Sequence, residues 1–150
     1  MDRVKGFTLV ELMVTIAVAA VLLGIAVPSF QTVSRNNAVR TTTNDLISTI
    51  NTARQQSMGT RSQVEVSAVS GGWSKGWLLD YDDDNLGEDA EFKPARGVSI
   101  SGENLVFQAR GGRQNGSKDV EFTVAHSDSS ITSRTFCVSF FGKVTQGECE

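Results

Sequence analysis

The stretch Gly6-Phe7-Thr8-Leu9-Val10-Glu11 opens an apolar run that continues to Val27 and decides how the chain is organised. Glu11 is the only charged residue among the 21 residues of 7–27. A helix rises about 1.5 Å per residue, so this run would span roughly 30 Å, the thickness of a bilayer's hydrocarbon core. A carboxylate in such a helix is unfavourable by on the order of 3 kcal/mol, so Glu11 is expected to pair with a cation.

A secretory signal and an uncleaved signal anchor are two simpler interpretations of the run. A secretory signal has an apolar core of about 7–15 residues before a cut at small residues. Ala17-Val18-Ala19 or Gly24-Ile25-Ala26 would supply that cut, but the run is longer than such a core and Glu11 interrupts it. Arg3 and Lys5 precede the run and no comparable cluster of cations follows it closely, which predicts a cytoplasmic leader and an exported globular part.

Gly6 followed by Phe-Thr-Leu-Val-Glu resembles the cleavage and methylation motif of type IV prepilins and type II secretion pseudopilins. The resemblance implies that a prepilin peptidase cuts between Gly6 and Phe7 and methylates the new amino terminus. It also implies that Glu11 serves subunit assembly. The implied partners are other minor and major pilins and an inner-membrane assembly platform. The chain would then be a single-pass protein of the bacterial inner membrane, with a periplasmic globular domain, and a subunit of a pilus or pseudopilus fibre.

Periodicity and alternation predict an α+β, pilin-like fold in which one long helix packs on a C-terminal antiparallel β-sheet domain. The helix is expected to pass Pro28, a plausible kink, and to end near Met58 at Gly59. Its buried stripe is expected at Val39, Thr43, Leu46, Ile50 and Ala53. Strands are expected at 62–69, 76–81, 104–108, 119–125 and 134–141. The predicted organisation is a leader (1–6), a transmembrane helix (7–30) and a soluble domain (31–150), itself an amphipathic helix half (31–60) and a β domain (61–150).

Two further stretches resemble the H-type minor pseudopilins and the FimU/FimT minor pilins. They are Gly72-Trp73-Ser74-Lys75-Gly76-Trp77-Leu78-Leu79-Asp80 and the ending from Phe136-Cys137-Val138 through Gly142-Lys143-Val144 to Cys149. The resemblance implies a minor type IV pilin that is incorporated at or near the pilus tip and primes assembly. The alternatives are an H-type minor pseudopilin of a type II secretion system and a FimT-like DNA receptor for natural transformation.

Cys137 and Cys149 are the two cysteines of the chain and flank a predicted hairpin that turns at Gly142. An oxidising exported compartment favours their pairing, and a disulfide closing this loop would stabilise the fold by about 3 kcal/mol. Free or metal-binding thiols are the alternative, for which only His126 could add an imidazole ligand.

The acidic segment from Asp80 to Glu91 fits the spacing of a calcium-binding loop. The carboxylates at its ligand positions would be those of Asp80, Asp82, Asp84, Glu88 and Glu91. No helices are predicted on either side of the segment, so a solvated acidic turn is the alternative. Apart from this possible calcium ion, no cofactor is expected.

Basic residues are the remaining candidates for a binding site, although the net charge of −3 does not indicate a nucleic-acid-binding surface. Arg134 and Lys143, together with Arg110 and Arg113, could form a DNA-contacting stripe. Some FimT-like proteins bind DNA through a C-terminal Gly-Arg-x-Arg motif, and Gly142-Lys143-Val144-Thr145 lacks the second cation of that motif. One histidine and the absence of a nucleophile-elbow or phosphate-loop motif predict that the protein is not an enzyme.

Overall fold

The structure, a computed structural model, describes residues 7–82, 89–114 and 118–149. It contains one long helix, α1 (Leu9–Thr60), followed by short strands. The strands are β1 (Val64–Ala68), β2 (Trp77–Tyr81), β3 (Ala90–Phe92), β4 (Val98–Ser101), β5 (Leu105–Phe107), β6 (Val120–His126), β7 (Arg134–Val138) and β8 (Val144–Gln146). The chain divides into two compact units, one ending at Ser34 and the other beginning at Arg35.

Helix α1 includes Pro28 and ends later than the sequence predicted. The predicted end at Gly59 was wrong, because Gly59 is helical and the helix ends at Thr60. Arg61 then adopts a left-handed backbone with φ of 56°, the conformation that commonly stops a helix. Glycine is the usual residue at such a position, and here an arginine occupies it.

The strands form two antiparallel four-stranded sheets, with orders β3-β2-β1-β5 and β4-β6-β7-β8. The expected α+β architecture with an antiparallel β-sheet domain is confirmed, and that domain consists of two sheets. Five strands lie where alternation placed them, while β3, β4 and β8 were not predicted. These three strands have only three or four residues each, and each pairs with a neighbouring strand: β3 with β2, β4 with β6 and β8 with β7.

The core lies between the second half of α1 and the two sheets. All the residues of the predicted helix stripe are buried: Val39, Thr43, Leu46, Ile50 and Ala53. Trp77 of β2 is fully buried and stacks on Phe92 of β3 with 5.7 Å between ring centroids. In the second sheet Phe122 stacks on Phe136, and Trp73 forms a T-shaped contact with Phe122, with 5.2 Å between ring centroids. The aromatic contacts of Trp73 and Trp77 identify both tryptophans as core residues.

Candidate functional site

The predicted assembly residues lie at the amino-terminal end of α1, in its first turn and just before it. Gly6 lies outside the described residues, and Phe7 precedes the helix with 79% of its surface exposed. Thr8 caps the helix, since its Oγ1 accepts a hydrogen bond of 3.2 Å from the Glu11 amide. A threonine followed three residues later by a glutamate is the capping-box pattern, and a carboxylate in the first turn also complements the positive end of the helix dipole. Glu11 is therefore at a position where the helix tolerates its charge.

Apolar side chains surround Glu11 and remain uncovered. Every large apolar side chain from Phe7 to Val33 is at least half exposed, although the same residue types are buried further along α1. Among the described residues one helix, α1, is both long enough and apolar enough to cross a membrane. Burying a leucine- or phenylalanine-sized side chain is favourable by about 1.5–3 kcal/mol, so a run of such residues requires an apolar environment.

The C-terminal region is held by a disulfide between Cys137 and Cys149. Cys137 lies in β7, directly opposite Glu121 of β6. The Cys149 amide donates a 3.4 Å hydrogen bond to Oε2 of Glu121, so the chain end returns to the sheet next to the bridge. The hairpin turns at Gly142, whose φ of 74° favours glycine. The predicted pairing and the predicted turn are both present in the structure.

Arg113 is one of the stripe candidates, and the structure shows it to be a core residue instead. Only 4% of its surface is exposed. Its guanidinium donates to the carbonyl oxygens of Val138 at 2.8 Å and Lys118 at 3.0 Å, which ties the loop before β6 to the end of β7. Burial lowers the pKa of Arg113, while the nearby carboxylates of Asp119 and Glu103 oppose that effect. The prediction that Arg113 faces a nucleic acid was wrong.

Arg134 and Lys143 do not form one stripe. Arg134 begins β7, whereas Lys143 follows the turn at the other end of that strand and pairs its carbonyl with the Ser139 amide. The four residue steps from Arg134 to Val138 separate the two ends by roughly 13 Å. Arg134 and Lys143 are both exposed, but they lie in different regions of the surface.

The acidic segment falls partly outside the described residues, which omit Asp84 and Glu88. The described candidates lie on two neighbouring strands, with Asp80 in β2, Asp82 just after it and Glu91 in β3. Glu91 forms an ion pair with Lys93 at 3.3 Å. In the part of the chain that the structure describes, no three His, Cys, Asp or Glu residues are grouped so that they could hold a metal ion. The two interpretations of the segment, a calcium-binding loop and a solvated acidic turn, therefore both stay open.

Two polar contacts that the sequence did not indicate position the helix against the sheets. The buried indole Nε1 of Trp77 donates to Oγ1 of Thr49 at 3.1 Å. Arg35 forms an ion pair with Asp128, whose pKa is lowered by hydrogen bonds from the Ser130 side chain and amide and by Arg35 itself. For the contact between Trp77 and Thr49, the only sequence signal was the position of Thr49, three residues after Leu46 and four before Ala53 of the predicted buried stripe.

Comparisons with known families agree with both parts of the chain. Residues 1–27 match the model of the prokaryotic N-terminal methylation motif. Residues 42–142 match the family model described as type II transport protein GspH. The second match covers most of the domain that follows the apolar run. No curated protein sequence matches the chain.

Two solved structures share the fold of the chain. A crystal structure of the type IV minor pilin FimU from Pseudomonas aeruginosa has a TM-score of 0.61 and 16% identity, and it covers 75% of this chain and 90% of that one. A second crystal form of FimU gives a TM-score of 0.57 at 16% identity, with coverage of 73% and 92%. At this identity the likeness shows the pilin fold alone.

Proposed function

We propose that this chain, which belongs to the family of the type II transport protein GspH and shares the fold of the minor pilin FimU, is a minor type IV pilin. It is made as a prepilin and incorporated at or near the tip of a pilus, where it primes assembly. As a pilin-family protein it is a structural subunit anchored in a membrane, and it assembles with other pilins. The match of residues 1–27 to the N-terminal methylation motif supports this assignment, since the resemblance to prepilins implies cleavage and methylation at that motif.

The observation that carries the proposal is the uncovered apolar part of α1 with a single charge in its first turn. The large side chains from Phe7 to Val33 are at least half exposed, and Glu11 is the only ionisable group among residues 7–27. Such a segment is stable in a bilayer before assembly and among the helices of neighbouring subunits afterwards. Both environments exclude water, so the carboxylate needs a cationic partner in either one.

We propose that the prepilin peptidase cuts between Gly6 and Phe7. Residues 1–6 are then the leader, 7–30 the membrane helix and 31–150 the periplasmic domain. The new amino terminus on Phe7 remains cationic after methylation. In a fibre, the amino terminus of one subunit lies close to the Glu11 carboxylate of a neighbour. The attraction between these two charges is strong because little water screens it. Glu11 thereby sets the register in which a subunit enters the fibre.

The substitution Glu11→Ala tests this assignment in the bacterium that carries the protein. Cleavage and membrane insertion should continue, because the apolar run and Gly6 are unchanged. Incorporation into the fibre should fall strongly, since the buried amine of the neighbour loses its carboxylate partner. Immunoblots of sheared fibres and of membranes measure incorporation, and mass spectrometry of the amino terminus measures processing.

Glu11→Gln is the matched control, because glutamine keeps the capping-box pattern of the helix end but carries no charge. If the charge recruits subunits, Glu11→Gln should fail to assemble as Glu11→Ala does. Wild-type amounts of the glutamine variant in the sheared fraction would assign Glu11 a capping role instead and would contradict the pairing mechanism.

A minor pseudopilin of a type II secretion system is the second candidate, and the description of the matched family favours it. The two functions differ in what is lost when the protein is removed. Deletion should abolish surface pili and leave protein export intact if the chain is a minor pilin. Loss of exported proteins from the medium with normal pili would assign the chain to type II secretion.

A further inference from the structure

Two grooves between α1 and the second sheet share Arg134 as a lining residue. The first has a volume of about 410 Å³ and is lined by Asn36, Asn37, Arg40, Thr132 and Arg134. The second has a volume of about 180 Å³ and is lined by Thr43, Ile47, Arg134, Thr135, Phe136, Gln146 and Gly147. We call the two grooves together the α1–β8 cleft. All of its residues belong to the unit that begins at Arg35.

Helical spacing places one wall of the cleft along a single face of α1. Asn36, Arg40, Thr43 and Ile47 follow one another at steps of four, three and four residues, which is the repeat of one helix face. The distance along the helix from Asn36 to Ile47 is roughly 16 Å. An extended polypeptide of about five residues has the same length. The cleft is therefore long enough to hold a short extended segment.

The free edge of the second sheet forms part of the other wall. β8 is the last strand in the order of that sheet, and its end lines the cleft through Gln146 and Gly147. The Gly147 amide donates to the Thr135 carbonyl at 3.0 Å, so these two residues are a hydrogen-bonded pair of the antiparallel ladder. Such pairs alternate with pairs that are not hydrogen-bonded, and the next pair is Phe136 with Gln146. The backbone N–H and C=O of Gln146 therefore point away from β7, to the open side of β8.

Val144 lies two residues before Gln146 and presents its backbone in the same direction. Among the described residues, the outward N–H and C=O groups of Val144 and Gln146 form no hydrogen bond. A strand edge with unpaired backbone groups is a template for an additional strand. β8 contains neither a proline nor a charged residue that would disfavour such pairing. An extended polypeptide is therefore the ligand that this wall of the cleft matches.

The strand register determines which side chains of an added strand would enter the cleft. Side chains alternate between the two faces of a sheet, so those of Arg134, Phe136 and Gln146 share one face. Phe136 is fully buried, which identifies this face as the one turned toward the core. A strand added to β8 would place every second side chain on the same face. The side chain next to Gln146 would lie near Ile47, and the following one, about 7 Å further along, would reach Arg134.

The two arginines of the cleft favour a carboxylate at that second position. Arg40 and Arg134 are both exposed, and neither belongs to an ion pair among the described residues. None of the residues that line the cleft is acidic. Two like charges that line one groove repel each other, and a bound anion would offset that repulsion. Guanidinium groups match the two oxygens of a carboxylate in shape as well as in charge.

We propose that the α1–β8 cleft binds an extended segment of a different pilin subunit, which adds to the edge of β8 as a further strand. The segment carries an apolar residue that faces Ile47. Two residues from it the segment carries an aspartate or glutamate that pairs with Arg40 and Arg134. Backbone pairing supplies the binding in this arrangement, and the alternate side chains supply the specificity.

This contact deepens the proposed assembly function and rests on it. A minor subunit near the tip has neighbours of other kinds, so a cleft that accepts a different subunit is used once for each copy. Exposed ion pairs stabilise weakly and are screened by salt, so the contact is weak by itself. Once apolar helices hold two subunits in one membrane, their effective concentration is high and a weak contact is enough to select the neighbour.

The cleft favours a polypeptide over nucleic acid. A duplex is bound through many phosphate contacts along a basic surface. The cleft offers two arginines, and the full chain carries a net charge of −3. A sugar–phosphate backbone also has no N–H group to donate to the outward carbonyl oxygens of β8.

Site-specific photo-crosslinking in the bacterium that carries the protein tests the proposal. A benzoyl-phenylalanine placed at Thr132, which lines the cleft, should cross-link the full chain to a different pilin subunit in membranes and in sheared fibres. Peptide mapping should locate the adduct on a segment with an apolar residue and a carboxylate two residues apart. Arg134→Glu should lower the cross-linking yield by about twofold to fivefold, as expected for loss of an exposed ion pair.

Proline substitutions in β8 test the role of the open edge. Gln146→Pro removes an N–H that points outward, so it should lower the yield by about twofold to tenfold. It should leave the melting temperature of the full chain in detergent nearly unchanged, because proline is tolerated where the strand N–H faces solvent. Thr145→Pro is the contrasting variant. Thr145 is opposite Cys137 in a hydrogen-bonded pair, so its substitution should lower the melting temperature.

Arg96→Glu is the matched control for charge, because it makes the same change at an exposed arginine outside the cleft and should leave the yield unchanged. The compensating experiment replaces the mapped carboxylate of the partner by lysine. That partner should restore the cross-linking yield of the chain that carries Arg134→Glu.

Several results would overturn the inference. They are an adduct on a second copy of this chain, on a protein outside the pilin family or on DNA, and no adduct at all. A yield that neither Arg134→Glu nor Gln146→Pro lowers would overturn it as well, and so would an equal loss of melting temperature for Gln146→Pro and Thr145→Pro. These outcomes leave the Glu11 test intact, because that test measures entry into the fibre. Conversely, absence of wild-type protein from every fibre would refute the proposed function, while the adduct in membranes would remain.

Discussion

Removing the hydroxyl of Thr49 should destabilise the domain, because that hydroxyl is the acceptor of a buried tryptophan. Trp77 is fully buried, and its Nε1 lies 3.1 Å from Oγ1 of Thr49. The same hydroxyl donates to the Asp45 carbonyl at 2.9 Å, so one oxygen serves both the helix and the sheet. Valine has nearly the shape of threonine and cannot accept a hydrogen bond. Thr49→Val therefore removes the acceptor and leaves the packing almost unchanged.

The expected loss follows from the asymmetry of hydrogen-bond energetics. A buried donor left without an acceptor costs about 1–3 kcal/mol, more than the net value of a typical intact bond. Helix propensity contributes little, because threonine and valine have similar values. For a domain of this size the change should lower the melting temperature by about 4–12 °C.

Tryptophan fluorescence during thermal unfolding of the full chain in detergent measures this change, since both tryptophans lie in the folded domain. Thr52→Val, at an exposed position one turn further along α1, is the matched control and should shift the melting temperature by less than about 2 °C. A double-mutant cycle with Trp77→Phe isolates the contact. In that background Thr49→Val should have almost no effect, because no indole N–H remains to be left without an acceptor.

Access of water to the buried indole of Trp77 would refute this reasoning. Thr49 also lines a surface groove with Leu79 and Phe92. If water reached the Trp77 indole through that groove, Thr49→Val would leave the melting temperature unchanged, and the bond would not hold the helix to the sheet. An equal loss for Thr49→Val with and without Trp77→Phe would contradict it in the same way.

Three further predictions concern the second sheet. Gly102→Ala should lower the unfolding free energy by about 1–3 kcal/mol, because its Cβ would overlap the ring of the buried Phe122. Cys137→Ser should lower it by about 2–4 kcal/mol in chemical denaturation, since the loop it closes becomes free in the unfolded chain. Asp128→Asn should lower the melting temperature at neutral pH, because hydrogen bonds from Ser130 and the ion pair with Arg35 depress the pKa of Asp128 in the folded state. A carboxyl group whose pKa is depressed in the folded state contributes its full stabilisation above the unfolded pKa of about 3.9 and contributes less as the pH falls through the folded pKa. The difference in melting temperature between wild type and variant should therefore vanish in strong acid.

Each of these has its own control. Gly59→Ala has open space around its Cβ in a helix and should leave stability unchanged or slightly raised, so an equal loss at Gly59 and Gly102 would argue against overpacking. The double substitution of Cys137 and Cys149 by serine should match the single one, and two free thiols in native protein would disprove the bridge. An Asp128→Asn effect that persists unchanged below the folded pKa of Asp128 would show that the charge is not its cause.

The sequence predicted those parts of the fold in which one residue pattern decides burial. Val39, Leu46 and Ile50 follow the helical period and are all buried. In β6, Val120, Phe122 and Val124 alternate with less buried residues, as a strand with one covered face requires. In both elements the local spacing of apolar residues determines which side chains are buried, so the sequence alone is enough to predict their burial.

The sequence could not predict elements that exist because of their neighbours. β3 has three residues and is a strand because β2 offers it an edge, with Glu91 opposite Leu78. The same Glu91 also satisfied the ligand spacing of a calcium loop, and nothing local separates those two interpretations. Division into two sheets depends on pairings between distant segments, such as β4 with β6, which no local period encodes.

Buried polar residues were missed for a related reason. Thr42 and Arg113 belong to classes that are usually exposed, and composition predicts them to be so. Each is buried where a group from a distant segment forms a hydrogen bond with it. The Thr42 hydroxyl accepts from the Ala95 amide at 3.0 Å, and Arg113 donates to carbonyls on both sides of β6. A satisfied polar group is stable inside the protein, but its partner is visible only after folding.

The candidate assembly site reverses this relation between sequence and structure. The sequence indicates Glu11 and the apolar residues around it as an assembly site, which stays a prediction, whereas the folded single chain provides no partner for them among the described residues. An apolar helix that stays uncovered in its own fold is incomplete, and its carboxylate is the one feature that distinguishes one register from another along an otherwise uniform surface. Burial among like helices without a counter-charge would leave Glu11 desolvated and unpaired, which is strongly unfavourable. In the proposed assembly, the apolar surface therefore drives association without choosing a register, and Glu11 would exclude every register that does not bring a cation to it.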